Sequence, residues 1–269
     1  MNNNEIVITS AYRTAIGSFG KSLKNTESFD LGSKVIQTTI EKLKLKKNEI
    51  DEIILGQVLT GALGQNPARQ AAIKSGVPKE VPAYIVNQVC GSGIRSVASG
   101  YQSIKSGDAK IIIAGGQESM SLAPHAIHIR DGKKLGDVEL VDTMIKDGLW
   151  DAFHGYHMGV TAENVAEKFQ ITREDQDKFA LNSQLKALKA QNENKFKEEI
   201  INLKIKSNKA EVNFQKDEHP REGINLDALS RLKPVFKKNG TVTAGNASGI
   251  NDGAAAVTLM TDADANKKG

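Results

Sequence analysis

From Glu5 to Met120, short apolar runs alternate with stretches of helical period. That order buries strands between helices, which restricts the chain to layered α/β folds. Ile6 to Thr9 reads as the first strand. Asp30 can cap a helix that carries Leu31, Val35, Ile36, Ile40 and Leu43 on one face, and Glu52 to Leu59 reads as the next strand. Pro67 suits the first turn of a second helix that ends near Gly76. Ala83 to Val86 and Lys110 to Ala114 complete a set of buried strands around a third helix, which starts near Cys90.

Beyond Met120 the texture changes. Residues 121 to 160 hold four of the five histidines (His125, His128, His154 and His157), many glycines and few periodic apolar positions. A loop-rich excursion from the layered core is expected there. A helical region follows from about Thr161 to Lys195, broken near Ile171, where Thr172 with Asp175 resembles a capping box. Glu199 to Lys206 and Glu211 to Gln215 alternate like paired strands, and Leu226 to Leu232 reads as a short helix. Val242 to Met260 returns to small apolar residues that would rejoin the sheet. The expected organisation is a core of residues 1–120 and 250–269 around an inserted loop-rich α+β domain, 121–249. The polar tail Asp262 to Gly269 reads as an interdomain linker.

Composition excludes several functions. A chain of 269 residues can bury a large core without disulfide staples, and its single cysteine can form none internally. The longest aliphatic run, Ile111 to Ala114, is far too short to span a bilayer, so no membrane role is expected. The net charge of +4 is small, and Lys/Arg alternate with Asp/Glu instead of forming a basic stripe, which argues against nucleic-acid binding. The mild positive excess suits an anionic small molecule. The first strand begins almost at Met1, leaving no room for a leader ahead of it, and a cytoplasmic location is expected.

The only thiol, Cys90, lies between a strand and a helix whose buried face would be Ile94, Val97, Ala98, Tyr101 and Ile104. Free backbone N–H groups and the helix dipole favour an anion at such a position, and the same N–H groups could hold a thioester oxyanion. Gly91 and Gly93 leave the sulfur approachable. The spacing leaves two readings open: an acyl-accepting nucleophile, or a small buried hydrophobe whose glycines merely pack helix on strand.

NQVCGSGIRSV around Cys90 resembles the nucleophile segment of the thiolase family. Four further segments resemble that family in the right order: AGGQESMSLAPH (114–125), GYHMGVTAENVAEKF (155–169), DEHPREG (217–223) and TAGNASGINDGAAA (243–256). The resemblance implies the N-terminal half of a thiolase-like layered fold, with the C-terminal thiolase domain absent from these residues. It implies that Cys90 takes the acyl group from an acyl-CoA. It implies that Ser248 meets the pantetheine arm with Ala244 beside it, that Arg221 lies near the adenine end, and that Leu149, His157, Met158 and Phe236 line the tunnel. His157 in the HMG triplet is typical of short-chain members of the family. Each position also has an ordinary reading: a solvated arginine at Arg221, a core side chain at Phe236, a turn residue at Ser248, a hydrogen-bonded structural histidine at His157.

The implied reaction is reversible condensation of two acetyl-CoA to acetoacetyl-CoA and CoA, with no permanently bound cofactor and no metal. The family draws a general-base histidine and a second cysteine from its C-terminal half, and this sequence has neither. Turnover by these residues alone is therefore in doubt. A homo-oligomer, dimer or tetramer, is implied, and unpaired apolar core surface would favour self-association. The rivals are a ketoacyl-synthase-like condensing enzyme and a noncatalytic CoA-binding or assembly module. Ala114-Gly-Gly-Gln lacks the GxGxxG spacing of a dinucleotide site.

Overall fold

The computed structural model describes residues 5–207 and 210–268, so Met1 and Gly269, which bounded two expectations, lie outside the described residues. The chain divides into two compact units: residues 1–122, 198–216 and 251–269, and residues 123–197 and 217–250.

The first unit is built on one sheet. Its strands are β1 (Ile6–Arg13), β2 (Gly17–Ser18), β3 (Glu52–Gly56), β4 (Ala83–Val86), β5 (Ile112–Ser119) and β12 (Asn251–Thr261). The order runs β1-β12-β5-β3-β4, with β2 also on β12. β3 is parallel to both β4 and β5, whereas β12 is antiparallel to β1 and β5. The parallel half is a near-continuous apolar run, as strands covered on both faces require: Ile53, Ile54 and Leu55 are all fully buried.

Alternate side chains of that run face opposite layers. Ile53 and Leu55 join Leu31, Val35, Ile36 and Ile40 of α1 (Ser28–Lys42) and Ala68, Ala71 and Ala72 of α2 (Pro67–Lys74) in one core cluster. Ile54 joins Ile112, Ala114 and Leu259 in a second cluster with Ile104 of α3 (Ser92–Ser106). Asp30 lies in the first turn of α1, not at its cap, which is Glu27. Asn66 caps α2, its side chain accepting the Arg69 N–H at 3.1 Å.

Three further expectations are corrected. The face of α3 against the sheet is Ser92, Ser96, Gly100 and Ile104, whereas Ile94 is 80% exposed and Tyr101 46%. The helix sits too close to the strands for large side chains, and the Ser96 hydroxyl donates to the Gly115 carbonyl at 2.6 Å. Val97, as expected, packs against the second core cluster, and with the exposed Ile94 it lines an open cavity of about 300 Å3 together with Ala11, Tyr12, Ala255 and Val257. Second, the hairpin β10 (Leu203–Ser207) and β11 (Ala210–Phe214) belongs to the first unit and not to the insertion, because Leu203, Ile205 and Phe214 are buried in its core. Third, residues 262 to 268 of the expected linker form α7 (Asp262–Lys268). Thr261 and Asp264 bond reciprocally at its start, with acids in the first turn and Lys267 and Lys268 in the last, which suits the helix dipole.

The second unit contains two small pairings, β6 (His125–Ala126) with β7 (Val141–Asp142) and β8 (Trp150–Asp151) with β9 (Tyr156–His157). It also holds a π-helical turn, Met144–Leu149, and the helices α4 (Met158–Lys168), α5 (Arg173–Asn192) and α6 (Leu226–Ser230). Thr172 and Asp175 form the capping box of α5.

Candidate active site

In the first unit Cys90 is exposed and stands two residues before α3. The turn that presents it is held from three sides. Gln88 N–H donates to Ser92 Oγ at 2.8 Å, Ser92 Oγ donates to the Val89 carbonyl at 2.6 Å, and Val89 N–H donates to Asn87 Oδ1 at 2.9 Å. Val89 has φ +49°, a left-handed conformation that a β-branched residue adopts only when its surroundings enforce it, at a cost on the order of 1–3 kcal/mol. Beneath the turn, Gly56 ends β3 where a Cβ would stand 2.4 Å from the Ser92 carbonyl carbon and 2.5 Å from Gly93 N. Only a glycine lets the helix start rest on the strand end.

Beside this turn, in the same unit, the loop after β3 is fastened by Glu118 of β5. Its carboxylate accepts Val58 N–H at 2.8 Å and Leu59 N–H at 3.2 Å. Burial, reinforced by the neighbouring Asp252 charge, outweighs those two hydrogen bonds and pushes the Glu118 carboxyl up to about 7. Asp252 accepts both the backbone N–H and the hydroxyl of Ser121, at 2.9 and 2.6 Å.

The second unit carries the other seven expected residues. Leu149 closes the π-helical turn, and the next residue, Trp150, pairs with His157. His157 caps α4: its Nδ1 accepts the Gly159 N–H at 3.0 Å, so the neutral ring carries its proton on Nε2. The ring stacks on Phe236 at 4.7 Å between centroids and 18° between planes. Phe236 lies where a Cβ on Gly159 would stand, 2.2 Å away, so it packs directly on the first turn of α4. Met158 opens that helix and is half-exposed.

Ala244 and Ser248 are exposed on an irregular segment, 241–248, which Glu163 of α4 and Asp177 of α5 hold from below. Burial pushes the Glu163 carboxyl upward. The N–H groups of Val242 and Thr241, the Thr241 hydroxyl and the charge of Lys237 together outweigh it and leave the group below its ordinary value. Arg221 is exposed, and its N–H donates to Gln184 Oε1 on α5 at 2.8 Å. Beside it, burial and the Arg221 charge hold the His219 pKa below its usual value.

The structure thus joins His157 and Phe236 directly, with Met158 next to His157 in the chain, and puts Ala244 and Ser248 on one loop. Glu118, Glu163 and Asp177 escaped the sequence reading. An isolated acidic residue in a helix or strand carries no local sign of burial, although QES and TAEN lay inside the matched segments. Among the described residues, no three His, Cys, Asp or Glu side chains group as a metal site would.

A layered, mixed α/β sheet with a cysteine turn at its edge defines a class of fold, and the comparisons with known proteins give the family. The thiolase N-terminal domain matches residues 6–263, and the chain belongs to the thiolase family. It is 56% identical over 269 residues to an acetyl-CoA acetyltransferase of Rhizobium meliloti (strain 1021), covering 100% of this chain and 68% of that protein. It is 54% identical over 269 residues to an acetyl-CoA acetyltransferase of Shinella zoogloeoides, again covering 100% of this chain and 68% of the relative. The crystal structure of the Bacillus anthracis acetyl-CoA acetyltransferase superposes with a TM-score of 0.95 at 41% identity, over 98% of this chain and 67% of that one. The fold is therefore the mixed α/β thiolase fold, and the chain spans about two thirds of the length of these enzymes. No helix among the described residues is long and apolar enough to cross a membrane.

Proposed function

We propose that these residues carry the acyl-accepting half of an acetyl-CoA acetyltransferase reaction, with Cys90 as acceptor. The observation that carries this reading is an exposed thiol on a strained turn immediately before a fifteen-residue helix, in a chain of this family. The Cys90 sulfur, as thiolate, attacks the carbonyl carbon of acetyl-CoA. The carbon–sulfur bond to CoA breaks, CoA leaves with the electron pair and takes up a proton, and an acetyl thioester remains on Cys90. In the condensing step the deprotonated methyl carbon of a second acetyl-CoA attacks that thioester and Cys90 leaves. That step needs a base and a proton carrier, and the second thiol used by the family is not among these residues, which contain one cysteine.

Residues 123–197 and 217–250 are the proposed CoA platform. Ser248 and Ala244 face the pantetheine arm, Leu149, His157, Met158 and Phe236 line its path, and Arg221 meets the adenine end. His157, fixed with Nε2–H as donor and stacked on the Phe236 ring, supports a preference for a short acyl group. CoA acts as substrate and product, and a homo-oligomer in the cytoplasm is the proposed setting.

The test is incubation with acetyl-CoA followed by intact mass and peptide mapping. One acetyl group on Cys90, released CoA and no adduct in Cys90→Ser are expected. Absence of the thioester while CoA still binds would favour a noncatalytic CoA-binding module. Protection of Cys90 from alkylation by acyl carrier protein but not by CoA would assign the chain to carrier-dependent condensing enzymes.

A further inference from the structure

We propose that Asp177, working through Asn246, is a positioning residue that sets the loop carrying Ala244 and Ser248. The role of that loop in CoA binding rests on the reading above; the anchoring itself rests on the geometry. Residues 241–248 form no helix or strand, and Ala244 and Ser248 are exposed, so the loop takes its shape from its anchors.

The first anchor is Glu163, only 4% exposed, whose carboxylate accepts Thr241 N–H at 2.8 Å, Val242 N–H at 2.8 Å and the Thr241 hydroxyl at 2.9 Å. Gln176 adds a bond to Thr241 Oγ1 at 2.8 Å. These fix where the loop begins. The second anchor fixes how it turns. Asp177, 3% exposed, accepts from Asn246 Nδ2 at 2.9 Å, and the same amide donates to the Thr241 carbonyl at 3.0 Å. Asn246 Oδ1 then accepts Thr243 N–H at 2.7 Å, so one side chain braces both limbs of the turn.

A carboxylate only accepts, which forces the Asn246 amide to point its NH2 group at Asp177 and its oxygen at Thr243. The opposite amide orientation would set two acceptors face to face and break the brace. The other Asp177 oxygen accepts from Arg173 Nε at 2.8 Å, and Arg173 Nη2 donates to the carbonyls of Leu229 and Leu232 at 2.7 and 3.0 Å. Asp177 is thereby a buried charge with its counter-ion, tying the loop to α5 and to the end of α6 at once. Such a charge is tolerated only when fully bonded, so its specificity is its function here.

The test uses the intact chain with four variants: Asp177→Ala, Asp177→Asn, Asn246→Ala, and the double change Asp177→Ala with Asn246→Ala, which asks whether Asp177 acts through that amide. Amide hydrogen exchange and calorimetric CoA binding are read for each. Asp177→Ala is expected to speed exchange at Asn246 and Ala247 while Thr241 and Val242, held by Glu163, stay protected, and to weaken CoA about tenfold. Because Asp177 acts through the Asn246 amide, the double change should lose no more than Asn246→Ala alone. Unchanged protection at 246–247 in both Asp177 variants overturns the proposal, as do additive losses in the double change. If Asp177→Ala unfolds the unit, Asp177→Asn and Asn246→Ala decide. If the parent chain binds no CoA, the functional reading fails, and the exchange pattern alone still decides whether Asp177 sets the loop.

Discussion

At Glu118 two backbone N–H groups favour the carboxylate, burial and Asp252 oppose it, and the opposition wins. The sign of the resulting pH dependence follows. Below 4.5 the group is protonated in both folded and unfolded chains. Between 4.5 and about 7 the unfolded chain ionises first, so stability falls as pH rises, and above about 7 the loss is complete. A rise of this size corresponds to about 3 kcal/mol. Chemical denaturation at pH 5 and pH 8 should show that decline, and Glu118→Gln should remove most of it. Glu163 behaves oppositely: its lowered value means that its contribution is present above 4.5 and is lost as pH falls through the folded value. His157 combines two roles that one substitution separates. Asn caps helices well, so His157→Asn should change the melting temperature little while weakening CoA binding, because it removes both Nε2–H and the ring on Phe236. His157→Ala should also lose about 1 kcal/mol of helix capping.

Among the elements, the start of α3 depends on a contact that tolerates no side chain. Gly56→Ala would drive a methyl group into the backbone of Ser92 and Gly93, and a backbone cannot step aside as a flexible side chain can. A loss of about 2–3 kcal/mol is expected, together with slower alkylation of Cys90, read by timed mass spectrometry. The same junction shows what the sequence made legible. Strand-to-helix alternation located β1, β3, β4, β5, α1, α2 and the Cys90 turn but not the short β2, because apolar period records burial directly. The inner face of α3 was misread because close packing selects Ser92, Ser96 and Gly100, and a small residue carries no apolar signal. The 203–214 hairpin showed its alternation but not its destination, since pattern reports that a face is buried and not against what. For the candidate site, motif resemblance named Cys90, His157 and Ser248, whose roles are proposals. The carboxylates that hold their surroundings were silent, since a buried acid and a solvated one are the same letter.

For the molecule as a whole, the outward face of α3 leaves Ile94 exposed at the rim of an apolar cavity within the first unit. Exposed apolar surface of this kind promotes association. Sedimentation velocity should show self-association rising with concentration, and Ile94→Lys should reduce it without altering the circular dichroism spectrum. The sheet order has a consequence in time as well. Among the described residues, β12 is the one strand that pairs along β1, with Ile6 opposite Thr261 and Arg13 opposite Ala255. At synthesis rates of about 5–20 residues per second, the first strand waits roughly 12–50 s for its neighbour to be made. During that interval β5 also has one bare edge, since β12 is its partner on that side. A nascent chain of this topology therefore emerges with its sheet split, and the two halves can close only once residues 251–261 have been made.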